Sequence, residues 1–323
     1  MISILRSNQP IAWSIVPLTI LGGVLWHFWH AHTPLLSLVI YGIGLLTVAG
    51  YSHHLYVQRN FVERGDSALA WSFVAWGIVL VPVAQPMEGI QTWTSLLMLC
   101  GALDQTLRMH RQPSTSNLQF RAGLLAGLAV SIQPLNAGIL LGLIAVQIRT
   151  RPAIFREWVM LTFGIAHGLL IAEFCWTLPF FRGFAGNASA EILENVQYTR
   201  QSWRAVSMIT AGIFGLFMLI RENPRLVLKT KNTRYNAIFL LLALAGTASL
   251  LFGTGTPEIR GLGPASQWTA HWGSVSALAL GFLTVSLVPK RERKGDKLSA
   301  LDGLGWVIFV GTLLVVFGLN YAQ

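Results

Sequence analysis

RAGLLAGLAVSIQPLNAGILLGLIAVQIRTRPAIFR, residues 121–156, is apolar and rich in Gly and Ala. It is interrupted once, at Gln133-Pro134-Leu135-Asn136, and carries arginine at both ends. It reads either as one long helix kinked at the proline or as two short helices joined at that break. Roughly 27 residues separate Arg121 from Arg149, more than the ~20 a single span needs and too few for two full spans. Arginine favours the cytoplasmic side of a membrane, so arginine at both ends argues that the chain goes in and comes back. The stretch is therefore expected to form a short helical hairpin. Its Gln133, Pro134 and Asn136 tip would sit deep in the membrane or just beyond it, shielded by protein or lining a wet cavity, because lipid cannot satisfy irregular backbone.

Working outward, the composition points the same way. Of 323 residues, 53% are hydrophobic and only 11% charged. Several apolar runs are long enough to cross a bilayer, which predicts an all-α, polytopic transmembrane helical bundle. The formal charge of +10 does not imply a nucleic-acid partner, since the basic residues fall in short clusters between apolar runs. Spans are expected at about Ile11–Trp29, then through to His53-His54, Ser67–Val83, a fourth ending near Leu107, and from Trp158 to Pro179. Ala205–Ile220, Ala237–Phe252, Trp272–Val288 and Leu304–Leu319 complete the set. With the hairpin counted twice this makes about 11 membrane passes in one integral membrane domain over residues 1–323. The first apolar run reads as a span rather than a cleavable signal peptide.

Of the 23 Lys and Arg residues, only Arg182, Arg200, Arg204 and Arg260 fall on the second side of this layout. That asymmetry places the amino terminus in the cytoplasm and the carboxyl terminus in the periplasm of a bacterial inner membrane. Between Phe181 and Arg204, the residues Ile192, Val196, Thr199 and Trp203 recur at helical spacing, which predicts a helix lying at the membrane surface. Cys100 and Cys175 read as small apolar fillers.

The runs ERGDSALAWSFVAWGIVLVPVAQP, LLMLCGALDQTL, AGLLAGLAVSIQP and EWVMLTFGIAHGLL, from about Glu63 to Trp176, resemble the core of the GT-C glycosyltransferases. In that superfamily a span ending in proline leads to another span, a basic linker and a short hairpin. Over most of its length the chain also resembles a Bacteroidota inner-membrane family of unknown function, through its ISILRSNQP start and Arg156-Glu157-Trp158 after the hairpin. The first resemblance implies a GT-C-like core. GT-C enzymes carry an acidic catalytic residue in the first external loop, whereas here that loop, His30 to Pro34, has no carboxylate.

Glu173, in the outer half of its span, is the candidate catalytic carboxylate, because ionisable groups inside a membrane are costly and often functional. The alternative is a buried Glu, protonated or hydrogen-bonded to a neighbouring helix. His167 lies six residues away on a different face. Arg260, in the Gly-rich GTGTPEIRGLGP loop, and Arg182, Arg200 and Arg204 are candidate ligands for the phosphate of a polyprenyl-phosphate lipid. The competing reading is a flexible connector with solvated arginines. His27, His30 and His271, with Glu258, lie at one expected depth, but they complete no standard ligand spacing, so no metal or other cofactor is expected. Asp104 and Arg108 suit a local i,i+4 ion pair. Three classes follow: a non-catalytic subunit or scaffold of envelope biogenesis with a membrane-protein partner, a lipid-linked sugar transferase, and a transporter or flippase. The first leads, since the first external loop lacks a carboxylate and no internal repeat marks a transporter.

Overall fold

The computed structural model describes residues 10–31, 33–58, 67–81, 83, 86–109, 115–150, 154–177, 197–222, 234–243, 265–285 and 300–321. Every regular element among them is helical. In chain order these are α1 (Pro10–Ala31), α2 (Leu35–Gln58), α3 (Ala68–Leu80), α4 (Pro86–Arg108) and α5 (Ser116–Ile132). A 3-10 turn (Pro134–Ala137) follows, then α6 (Gly138–Thr150) and α7 (Phe155–Thr177). The remainder are α8 (Gln197–Glu222), α9 (Arg234–Ala243), α10 (Ala265–Thr284) and α11 (Ala300–Tyr321). Among the described residues, α2, with 24 residues, is the one helix both long and apolar enough to cross a membrane.

The helix expected at the membrane surface and the span expected from Ala205 are one helix: α8 runs unbroken from Gln197 to Glu222. No Gly or Pro lies between Gln197 and Ala211, so nothing in the backbone stops the helix at Arg204. Ile192 and Val196 lie outside the described residues, as does the expected span beyond Ala243.

The chain divides into two compact units, each assembled from separate stretches: Met1–Pro82, Glu191–Lys231 and Ser276–Gln323 in the first, Val83–Ala190 and Asn232–Val275 in the second. The boundary falls inside α10.

In the first unit, α3 is the hub. It is apolar on every face, as a helix surrounded by other helices must be, and Phe73, Val74 and Trp76 are all buried. Its 13 residues span only about 20 Å at 1.5 Å per residue. Tyr41 of α2 donates to the Gly77 carbonyl at 3.1 Å. Trp76 Nε1 donates to Thr284 Oγ1 at 2.9 Å, and Ser72 Oγ lies 3.1 Å from the same oxygen. Phe309 of α11 lies against Trp71 and Trp76. Polar groups buried here are thus paired, as the apolar surroundings require.

In the second unit α5, the 3-10 turn and α6 form a hairpin. A residue before proline is driven out of the helical region, and Gln133 is extended, at φ −143° and ψ 103°. That ends α5. Gln133 N–H and Asn136 Nδ2 both donate to the Ala129 carbonyl, each at 3.0 Å, which satisfies a carbonyl at the helix terminus. The chain then returns as α6, so that Gln119 and Gln147, at opposite ends of the sequence hairpin, meet at 2.8 Å.

α5 and α7 run parallel in closest contact. Gly123 and Gly127 of α5 face Gly164 and Gly168 of α7. A Cβ on Gly123 would run into the Leu161 carbonyl oxygen, one on Gly164 into that of Phe120, and one on Gly168 into that of Leu124. Here the absence of a side chain is what lets two backbones touch. α4 packs on α5, with Leu125 filling the space over Gly101. Asp104 pairs with Arg108 at 2.6 Å, as its spacing predicts.

Candidate functional site

Where α5 and α7 begin and α6 ends, four polar side chains close on one another. Thr115 precedes α5, Gln119 lies one turn into it, Gln147 is near the end of α6, and Glu157 is in the first turn of α7. Spacing by four puts Thr115 and Gln119 on one face of α5. Thr115 Oγ1 donates to Glu157 Oε1 at 2.5 Å, and Gln119 Nε2 donates to Glu157 Oε2 at 3.2 Å and to Gln147 Oε1 at 2.8 Å. Gln147 Nε2 reaches Glu157 Oε2 at 3.5 Å. Gln119 and Thr115 are fully buried, and Gln147 and Glu157 are each only 4% exposed.

The electrostatics suit a carboxylate. Two helix amino termini, those of α5 and α7, converge on Glu157, and their unsatisfied N–H groups and dipoles favour negative charge there. Thr115 makes no side-chain bond to its own helix; its hydroxyl serves Glu157 instead. The carboxylate thereby accepts from α5 and α6 while being carried by α7. Gln119 Oε1 has no partner among the described residues, an exception in a buried set that is otherwise hydrogen-bonded.

The structure places the sequence-predicted site residues unevenly. Gln133 and Asn136 are buried at the hairpin tip, at 8% and 0% exposure, with Asn136 bonded to Ala129 as above; the Pro134 side chain is outside the described residues. Glu173 lies on α7, and Arg200 and Arg204 lie on α8, but their side chains are likewise outside the described residues. Arg182, Arg260 and Glu258 fall outside them entirely. His167 packs on Phe163 and Phe120, with ring centroids 4.3 Å and 5.9 Å away, and its Nδ1 lies 3.0 Å from the Phe163 carbonyl.

His27 is buried beside the Tyr41 ring at 5.5 Å; the side chains of His30 and His271 are outside the described residues. Among the described residues no group of three or more His, Cys, Asp or Glu is placed to hold a metal. The Glu157 cluster was missed by reading the sequence, which registered Glu157 only within Arg156-Glu157-Trp158. A detectable signal was there in Thr115 and Gln119, one turn apart where a helix begins. The paired Gly123/Gly127 and Gly164/Gly168 spacings were legible as well.

No family model matches this chain, and neither a curated protein nor a solved structure matches it.

Proposed function

We propose that the chain is a multi-pass protein of the bacterial inner membrane, serving cell-envelope biogenesis as a non-catalytic, GT-C-like subunit or scaffold of a membrane complex. Its amino terminus is cytoplasmic and its carboxyl terminus periplasmic in this reading. The observation that carries it is the apolar character of the exposed helix faces. Leu21 and Leu25 of α1, Ile213 and Phe217 of α8, and Val307 and Leu314 of α11 are each 53% to 66% exposed. Soluble monomers rarely show large contiguous apolar patches, whereas in hydrocarbon such faces carry no penalty. Exposed Phe163 and Leu170 give α7 a similar face in the second unit.

The non-catalytic part of the reading is supported by the Glu157 cluster. Its carboxylate is engaged by side chains from two other helices and joins three elements, which is a structural task. The short hairpin at 121–156 accords with the GT-C-like core that the resemblance implies, and the envelope role rests on that resemblance.

Native mass spectrometry of the protein released gently from its own membrane tests the proposal. A stoichiometric membrane-protein partner is the expected result. A retained polyprenyl-phosphate lipid or its sugar adduct would overturn it in favour of a lipid-linked sugar transferase using Glu173. Reporters fused after Arg111 and after Gln323 test the topology, with a cytoplasmic signal expected at the first and a periplasmic one at the second.

A further inference from the structure

The hydrogen bonds of the Glu157 cluster also fix where three arginines lie. Gln119, Gln147 and Glu157 are joined by bonds of 2.8 to 3.5 Å. Arg121 and Arg149 each follow one of these residues by two positions, and Arg156 precedes the third by one. Two positions along a helix is a rotation of about 200°, so a residue two away from a buried one faces outward. Arg121, Arg149 and Arg156 are all exposed. They radiate from a common buried centre and ring one end of the α5–α7 assembly.

Arg149 is held in place at this rim, its guanidinium 5.2 Å from the Tyr235 ring centre and 5.1 Å from that of Phe239. Among the described residues, Asp104 near this end is paired with Arg108 and Glu157 is bonded within the cluster. Beside the arginines stand Ile148, Ile154 and Phe155, exposed by 67%, 43% and 82%. A belt of cations next to exposed apolar side chains complements a layer that is anionic above and hydrocarbon below. Because the arginines diverge, they do not close on a single small anion; they meet separate groups around a perimeter.

We infer that this rim binds the phosphate headgroups of anionic phospholipids, with Arg121, Arg149 and Arg156 as the headgroup-binding residues. The inference rests on the membrane placement proposed above. An arginine near an anionic surface contributes about fivefold to binding, and salt weakens such contacts.

The test uses the full chain reconstituted in phosphatidylcholine vesicles with and without phosphatidylglycerol, reading the preference for a spin-labelled phosphatidylglycerol over its phosphatidylcholine counterpart. The wild type is expected to prefer the anionic lipid, and to do so less as salt rises. Combined Arg121→Gln, Arg149→Gln and Arg156→Gln substitutions are expected to abolish the preference, with a loss of up to about a hundredfold if the three act independently. Arg149→Lys, which keeps the charge and alters the ring contacts, is expected to retain it. Equal uptake of the two lipids by the wild type, or a preference surviving in the triple variant, overturns the inference. Alkali-washed membranes separate the two levels: sedimentation with the membrane but no lipid preference refutes the headgroup site alone, whereas failure to sediment refutes the membrane placement itself.

Discussion

The α3 hub and the α5–α7 crossing are built from similarly apolar sequence and hold together in different ways. Around α3, large side chains such as Phe73, Trp76 and Phe309 fill the space. At Gly77 of α3 the close neighbour is a side chain, since a Cβ there would meet the end of Leu45, whereas Gly281 of α10 lies against the backbone of Phe73. At the α5–α7 crossing the tight neighbours are backbone carbonyls, and a buried carboxylate closes one end. A side chain can change rotamer to admit a methyl group; a helical carbonyl can move only by separating the helices. Gly77 should therefore tolerate a methyl group that the glycines of the α5–α7 crossing do not.

The sharpest way to break that contrast is Gly164→Leu. The new side chain meets the Phe120 carbonyl, and overpacking costs about 1–3 kcal/mol even where neighbours yield. The expected outcome is loss of folded protein, measured by size-exclusion profile and thermal unfolding in detergent. An ordinary melting curve would show that the two helices are not in backbone contact.

Glu157→Ala comes next. It removes the acceptor shared by Thr115, Gln119 and Gln147, and a destabilisation of about 3 kcal/mol is expected from orphaned buried donors. Glu157→Gln, which keeps one acceptor oxygen, should cost clearly less; equal losses would indicate that the carboxylate is not the common acceptor. In the hub, Thr284→Val leaves Trp76 Nε1 and Ser72 without their partner, for about 1–2 kcal/mol by the same unfolding measurement. Gly77→Ala is expected to cost under about 1 kcal/mol, because Leu45 can give way. A cost matching that of a substitution at Gly164 would show that Leu45 does not give way. Smallest is Gly22→Ala, where nothing lies within 4 Å of the added Cβ. Replacing the most flexible residue in a helix should leave stability unchanged or raise it by up to about 1 kcal/mol.

The hairpin was readable because its cause is local. Pro134 cannot continue α5, and it forces Gln133 out of helical geometry without help from the rest of the molecule. The Asp104–Arg108 pair was readable for the same reason, both partners lying on one turn. The extent of α8 was not legible, because the spacing of Ile192, Val196, Thr199 and Trp203 suggested a separate surface helix ending near Arg204, while the backbone between Gln197 and Ala211 offers no stop. The Glu157 cluster joins residues 42, 38 and 10 positions apart in sequence, and no periodicity links Thr115 to Glu157.

By itself, then, the sequence determined the helical class and the break at Gln133-Pro134, through backbone restrictions that act over a few residues. It also contained the two four-residue glycine spacings. Only the tertiary structure decided that those spacings face each other and that α3 is surrounded. The tertiary structure also decided that the one buried glutamate at the start of α7 accepts from α5 and α6. Those outcomes depend on which helix faces meet, and an apolar helix of this composition carries little in its own pattern to say which face that will be.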